Sequence, residues 1–314
     1  MPSDGIQQRD AWGVRHSVTA ADLLKGAVDV HVHATPHINE RRVNALTAAE
    51  QAIEAGMRGM VLIDNFGISS GVAGLVEELI EPEQPFSVLG GIVLNQQVGL
   101  MNPSAVAAAL DYGNRSAFVS MPTHHTRHVA IAEGRSRSEI ERAFAIEGDV
   151  DGDLAEILDL VAESDTVLNT GHLAPEETMT LTAAARERGI ERILVPAQGL
   201  GPETLQVLGE QGALLEFTFF FISHASEVPL THIDGTPTTT GHFPAPSIAA
   251  SIRAAGVDNC VVSSDAGSSL LPPPVEALRG YVATLAALGF SEAELETMVM
   301  TNPLRLFGTR IEAT

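Results

Sequence analysis

The chain contains almost no lysine. Of its 18 basic residues 17 are arginine and one, Lys25, is lysine, while 40 acidic residues give a formal net charge of −22. Nucleic acids and anionic membranes bind proteins through basic surfaces, so this charge argues against both as partners. The sequence therefore favours a small-molecule substrate, but its charge does not indicate which one.

Cysteine and long apolar runs are also scarce. The single cysteine, Cys260, lies in the apolar run 259–262, which excludes a disulfide within the chain and favours a buried position over a nucleophile. No run of eighteen apolar residues occurs, and residues 1–14 lack the apolar segment of a signal peptide. We therefore expect a cytoplasmic protein.

Short apolar runs alternate with helical periodicity along the chain, which is typical of repeated strand–helix units. Strands are predicted at 27–34, 59–64, 86–94, 115–121, 165–170, 192–195, 213–219 and 259–264. Eight such units predict an α/β fold of the (β/α)8 TIM-barrel class. We expect a single domain over residues 1–314, with an N-terminal extension at 1–25.

Helical spacing of apolar residues, with proline near several starts and glycine after several ends, marks the segments between the strands. Helices are predicted at 43–55, 104–110, 154–162, 175–188, 202–208 and 247–255. The connections 123–150 and 220–245, after strands four and seven, are longer than ordinary βα loops. Long connections of this kind often form lids or binding loops, so we expect both to lie over the mouth of the barrel.

Two histidines close the first predicted strand. His31 and His33 are two residues apart, so on a strand their side chains point to the same face and can bind one metal ion. The strand ends directly after them, which places both imidazoles at the carboxyl end of the barrel, where barrel enzymes carry their active sites. Alone, this pattern is as compatible with two half-exposed histidines as with a metal site.

Further ligand-type residues follow strands five and eight. His172 lies just after the fifth predicted strand and Asp265 just after the eighth. Because the strand ends of a barrel converge on one mouth, we expect these two side chains to meet His31 and His33. Three imidazoles and a carboxylate form a donor set that a borderline divalent ion prefers.

At these positions the chain resembles the amidohydrolase superfamily of metal-dependent barrel hydrolases. The resemblance spans nearly the whole chain and is carried by residues 31–33, 170–172, 264–267 and 301–308, the last similar to the closing helix of that superfamily. Residues 89–95, 121–123 and 169–177 look like a little-characterised bacterial subgroup of hydrolases.

The resemblance implies a hydrolase, but two departures bear on its metal content. Superfamily members with two metals commonly bridge them with a carboxylated lysine after strand four, and no lysine stands there. Strand six commonly ends in histidine, whereas here Gln198 follows it. One ion is therefore favoured over two; a second would have to be held by His124, His125 or His128.

The mechanism follows from the donor set and the resemblance. Zn²⁺ is expected, with Mn²⁺ or Fe²⁺ as alternatives, and it would activate water to cleave an amide, lactam, lactone or related bond. Asp265 would move the proton of that water, while His124 or His125 stabilises the oxyanion. Substrate contacts are assigned to four polar residues near strand ends or in the mouth loop: Asp64, Asn95, Arg127 and Gln198.

Several alternatives remain open from the sequence. Asp64 and Asn95 could equally cap turns, and Arg127 could be solvated. Surface positions are expected for four further histidines: His37, His224, His232 and His242. A metal-dependent decarboxylase or lyase, or a metal-binding barrel without activity, would fit the same fold. Barrels of this size often self-associate, so a homo-oligomer is compatible with the sequence.

Overall fold

Eight short parallel strands form the centre of the molecule in the computed structural model, which describes residues 24–231, 237–238 and 241–311. Each strand pairs with the next along the chain, as expected for the predicted TIM barrel. The strands are β1 (Val28–Val32), β2 (Gly59–Leu62), β3 (Ser87–Val93), β4 (Ser116–Ser120), β5 (Val167–Asn169), β6 (Ile193–Pro196), β7 (Leu214–Thr218) and β8 (Cys260–Ser263). All eight predicted strands are present, and every strand begins and ends within two residues of its predicted ends.

Helices follow the strands and cover the outside of the sheet. They are α1 (Ala45–Glu54), α2 (Ser70–Leu79), α3 (Pro103–Leu110), α4 (Arg127–Ala132), α5 (Arg137–Arg142), α6 (Gly152–Ser164), α7 (Pro175–Glu187), α8 (Pro202–Glu210), α9 (Phe219–Ile222), α10 (Ala245–Ala255), α11 (Pro274–Ala287), α12 (Glu292–Glu296) and α13 (Asn302–Ile311). The six predicted helices are confirmed. The sequence reading missed α2, whose two glycines resemble a turn, and α11, which begins within a run of prolines.

The apolar core has two layers. Strand residues such as Val30 and Leu89 fill the inside of the barrel, while the helices pack on its outer surface. Helix α13 closes the amino-terminal end, where Phe307 and Ile311 join the inner layer and the Ser87 hydroxyl donates to the carbonyl of Ile311 at 3.3 Å. The opposite, carboxyl end is left for the loops that carry the candidate site.

The barrel closes between β1 and β8 through a seam of individual hydrogen bonds. The backbone N–H of Asp265 donates to the carbonyl of His31 and that of His33 to the carbonyl of Ala266, both at 2.9 Å. The buried carboxylate of Asp29 accepts from the backbone N–H groups of Ser264 at 3.0 Å and His31 at 3.2 Å. This seam brings His31, His33 and Asp265 side by side.

The two long connections carry structure of their own. Residues 123–150 contain α4 and α5, while 220–245 contain most of α9 and a two-residue ribbon of Leu230–Thr231 with Pro237–Thr238. His232, and residues 1–23 of the predicted extension, lie outside the described residues. Within the described part of the chain no helix has the length and hydropathy needed to cross a membrane.

We expect the carboxylate of Asp29 to be essential for closing the seam. Asp29→Ala leaves two buried N–H groups without an acceptor and should lower the free energy of unfolding by about 2–4 kcal/mol. Asp29→Asn keeps an acceptor oxygen and should cost less than about half as much. Urea unfolding followed by circular dichroism measures both. Equal losses in the two variants would mean that the seam does not depend on this acceptor.

Candidate metal centre

Three side chains converge at the carboxyl end of the seam. Oδ1 of Asp265 lies 3.4 Å from Nε2 of His31 and 3.2 Å from Nε2 of His33. One ligand atom from each of the three residues falls within 4.8 Å of the others, a spacing that can hold a metal ion. Within the described residues this is the one group of three or more histidine, cysteine or acidic side chains with that spacing.

The backbone after β8 is shaped to present Asp265. Its φ is +46°, in the left-handed region that a residue with a side chain seldom adopts, and such strain is common at functional sites. Two residues later, a Cβ on Gly267 would lie 2.2 Å from the carbonyl oxygen of His33. Glycine is therefore required there for the chain to approach β1 closely enough to bring Asp265 to the histidines.

The Nδ1 atom of each of the three predicted histidine ligands faces an acceptor. His31 contacts Oε1 of Glu216 at 3.0 Å, His33 the carbonyl of Ile63 at 2.8 Å, and His172 the carbonyl of Thr123 at 2.9 Å. Nδ1 must carry a proton to make these bonds, so Nε2 of each neutral ring presents a lone pair. This is the arrangement in which histidine binds a metal while a second group fixes its ring.

His172 approaches the group from β5 without joining it. Burial lowers the pKa of His172 below the ordinary value, while the charges of Asp265 and Glu216 act to raise it. Its nitrogens lie outside the set of ligand atoms within 4.8 Å. The assignment of His172 as a ligand therefore stays a prediction.

The charges in the group are strongly coupled. Burial lowers the pKa of His31, but the carboxylates of Asp265 and Glu216 outweigh it and raise the value to about 9. Burial raises the pKa of Asp265, but His31, His33 and His172 outweigh it and hold the value at about 2. Burial and the nearby guanidinium of Arg41 lower the pKa of His33 to about 4. In the metal-free protein a proton on His31 thus balances the Asp265 carboxylate.

Glu216 is a residue of the candidate site that the sequence analysis missed. It lies fully buried in β7, where its Oε1 also accepts from the Ser263 hydroxyl at 2.6 Å. The available signal was a charged residue inside the apolar run 214–219, since a carboxylate is rarely buried without a partner. Two residues on, the Thr218 hydroxyl donates to Oδ2 of Asp265 at 3.3 Å.

Asn95, predicted to bind substrate, organises the loop that follows β4. Its buried Oδ1 accepts from the N–H groups of Thr123 at 3.0 Å and His124 at 2.9 Å, and lies 3.2 Å from Nδ1 of His125. Its Nδ2 donates to the carbonyl of Asn65 at 2.8 Å and to the Thr123 hydroxyl at 2.9 Å. The amide therefore holds the backbone and one ring of the His124–His125 pair.

The two histidines of this loop point differently, as expected for neighbouring residues. The ring of His124 stacks on Phe66 with centroids 5.9 Å apart, and that of His125 turns to Asn95. His128, the third histidine considered for a second metal, is exposed on α4. None of the three belongs to the group of ligand atoms around Asp265 in the described residues.

The other predicted substrate contacts are engaged within the protein. Gln198 can donate to the carbonyl of Glu216 at 3.2 Å and accept from the N–H of Thr218. Arg127 pairs with Glu147. Asp64 accepts from the N–H of Phe66 at 2.9 Å. These roles are structural in the free protein, and a substrate contact for each remains a prediction.

The predicted surface position of His37 is wrong. The His37 side chain is 1% exposed, with Nε2 at 3.4 Å from Oδ1 of Asp64, because the loop after β1 folds over the mouth. His224 is exposed as predicted. His242 is partly buried, and its ring stacks on that of His224 with the two centroids 4.5 Å apart.

Asn95→Ala should loosen the loop after β4 because two backbone N–H groups lose their acceptor. We expect hydrogen–deuterium exchange of the amides of Thr123 and His124 to accelerate about tenfold or more. Asn102→Ala, which removes a helix-capping amide elsewhere, is the matched control. Unchanged protection of residues 120–126 would show that the amide does not hold this loop.

Solved structures with a similar fold are enzymes of several descriptions. The probable dipeptidase PvdM from Pseudomonas aeruginosa has a TM-score of 0.63 at 11% identity, covering 94% of this chain and 97% of its own. An amidohydrolase from the same organism has a TM-score of 0.56 at 11% identity, and the match covers 94% of this chain and 100% of the other. A 2,6-dihydroxybenzoate decarboxylase from Rhizobium has a TM-score of 0.52 at 13% identity, and the match covers 91% of this chain and 99% of the other.

These likenesses confirm the predicted barrel fold, and at such identities they establish the fold alone. The comparison with curated proteins finds no match. Residues 26–216, more than half of the chain, match the model of DUF6282, a family of unknown function. The chain therefore belongs to the DUF6282 family.

Proposed function

We propose that this protein is a metal-dependent hydrolase that cleaves an amide, lactam, lactone or related bond of a small molecule. The observation that carries the proposal is the convergence of His31, His33 and Asp265 at the carboxyl end of the barrel. Each element of this group is positioned by the seam between β1 and β8, which makes the geometry a property of the fold.

The donor set fits one divalent ion. With Nδ1 of His31 and His33 bound to acceptors, two Nε2 lone pairs face the Asp265 carboxylate at 3.2–3.4 Å. Lone pairs and an anionic oxygen repel one another unless a proton or a cation lies between them. Imidazole and carboxylate donors favour Zn²⁺, with Mn²⁺ or Fe²⁺ as alternatives. We propose His172 as the further ligand and a single ion per chain.

When bound, such an ion lowers the pKa of a water molecule to about 7 and polarises a carbonyl group. Residues of the protein would then transfer the protons and orient the metal ligands. Asp265 takes the proton of the attacking water and passes it to the leaving group, with the Thr218 hydroxyl orienting its Oδ2. Glu216 keeps the His31 ring in the tautomer that presents Nε2.

Residues of the mouth complete the proposal. His124 or His125 would stabilise the oxyanion, in positions set by Asn95. Asp64, Arg127 and Gln198 remain proposed substrate contacts, and in the free protein Asn95 and Gln198 bind backbone groups. We further propose a cytoplasmic location, in keeping with the single buried cysteine, Cys260.

Metal-dependent decarboxylation is the second candidate. The Arg41 backbone bridges to Ser268 in the loop that carries Asp265, and its guanidinium could hold a carboxylate next to the ion. A similar fold is described for a decarboxylase as well as for a hydrolase. Release of carbon dioxide from a carboxylate substrate would identify the reaction as decarboxylation in place of hydrolysis.

The metal site is tested by three variants. His31→Ala and His172→Ala should lose the bound metal, whereas Asp265→Asn should retain it and lower turnover by about two orders of magnitude or more. Elemental analysis gives the metal content, and a panel of esters, lactones and amides gives the activity. His128→Ala, at an exposed histidine, is the control and should retain both. Undiminished metal in both histidine variants would contradict the proposal.

Glu216 gives a separate test through metal affinity. Glu216→Ala removes the partner of Nδ1 of His31 and should weaken binding of Zn²⁺ about 10- to 100-fold, as is usual for groups that orient a ligand. Glu216→Gln keeps an acceptor and should lose less. Competition with a chromogenic chelator measures the affinity, and Ser263→Ala controls for loss of the other bond to Oε1. An unchanged affinity in Glu216→Ala would remove Glu216 from the site.

A further inference from the structure

Arg41 is held against the loop that carries Asp265. Its backbone bridges to Ser268, and the N–H of the next residue, Arg42, donates to the carbonyl of Gly267 at 2.8 Å. Nε of Arg41 is buried, whereas Arg42 is exposed. The fold thus places Arg41 beside the loop that carries Asp265 and its sequence neighbour in solvent.

One donor of the Arg41 guanidinium has no acceptor. In the described parts of the chain its buried Nε has no hydrogen-bond partner, and it forms no ion pair within 4 Å. Its Nη2 lies 2.9 Å from Nε2 of His37. The backbone N–H of Asn39 donates to Nδ1 of the same ring at 2.9 Å.

A partly buried cation with an unpartnered buried donor is costly. Burial lowers the pKa of Arg41 to about 10 even though the carboxylates of Asp265 and Asp64 raise it. Neither carboxylate comes close enough to pair with it, and Asp265 is already shared between His31 and His33. Proteins rarely keep a buried charge without a partner unless a ligand supplies one.

We propose that Arg41 binds a carboxylate group of the substrate, so that the protein acts on a small carboxylic acid. This inference rests on the proposed function for the reacting bond, and it adds the group by which the substrate is held. The planar guanidinium matches a carboxylate through two parallel hydrogen bonds, and its unpartnered Nε can supply one of them. In a chain of net charge −22, a local cation is also what allows an anion to approach.

The test measures binding of simple anions by saturation-transfer NMR titration. The probes are benzoate and succinate, with benzamide as an uncharged match and inorganic phosphate as a competing oxyanion. Wild type is compared with Arg41→Gln, Arg41→Lys and the matched control Arg42→Gln. Each protein is used zinc-loaded and after treatment with a chelator, because a carboxylate can also bind zinc directly.

We expect Arg41→Gln to weaken carboxylate binding about tenfold or more in both forms, and Arg42→Gln to change it by less than about twofold. Arg41→Lys should fall between them because an ammonium keeps the charge and loses the planar fork. Thermal melts separate this role from a structural one: a carboxylate should raise the Tm of wild type and not of Arg41→Gln.

Three results would overturn the inference: equal carboxylate affinity in Arg41→Gln and wild type, no carboxylate binding to wild type, or phosphate bound more tightly than either carboxylate. Elemental analysis of the same zinc-loaded samples keeps the two proposals apart. Wild type without zinc would contradict the metal-dependent hydrolase, and the chelator-treated samples would still report on Arg41.

Discussion

The closing seam between the first and last strands is the constraint on which the candidate site depends. At this seam the barrel uses single hydrogen bonds from the residues that follow β8, and Asp265 and His33 are themselves backbone donors in it. The same bonds that close the fold therefore set the spacing of the ligand-type side chains. Gly267 allows the close approach, and the left-handed Asp265 directs its carboxylate inward.

Electrostatic balance around Asp265 follows from this geometry. A carboxylate buried beside two imidazoles needs a positive charge, and in the metal-free protein a proton on His31 supplies it, since the pKa of His31 is raised to about 9. A divalent ion would replace that proton. Metal binding in such a site is therefore coupled to proton release and to pH. Glu216 supports either state because it accepts from Nδ1 of His31.

Much of the fold could be predicted from the sequence because strands and helices are indicated by local sequence patterns. Strands of a buried parallel sheet are short apolar runs, and polar residues directly after such runs mark the mouth of a barrel. His31, His33 and Asp265 were identified in this way, and so was the connection that carries His124 and His125. Helices α2 and α11 were missed because glycine and proline in them resemble turns, while tertiary packing stabilises both segments.

Other parts of the site depend on contacts between distant segments. Glu216 meets His31 across 185 positions, and Asn95 meets the loop after β4 across about 30. The sequence analysis did not single out Arg41, and it predicted a surface position for His37, because neither residue lies next to an apolar run that would indicate burial. Arg127 was predicted to contact the substrate, and in the structure it forms an ion pair with Glu147. Such partners appear only once the loops are folded over the mouth.

The most direct measurement of the central claim is X-ray absorption at the zinc edge of protein loaded with one equivalent of Zn²⁺. We expect one tightly held ion per chain, with imidazole scattering from at least two histidines and an oxygen ligand. We also expect the imidazole signal to fall in His33→Ala. A spectrum without imidazole ligands, or one that is the same in wild type and in that variant, would contradict a metal centre at the seam.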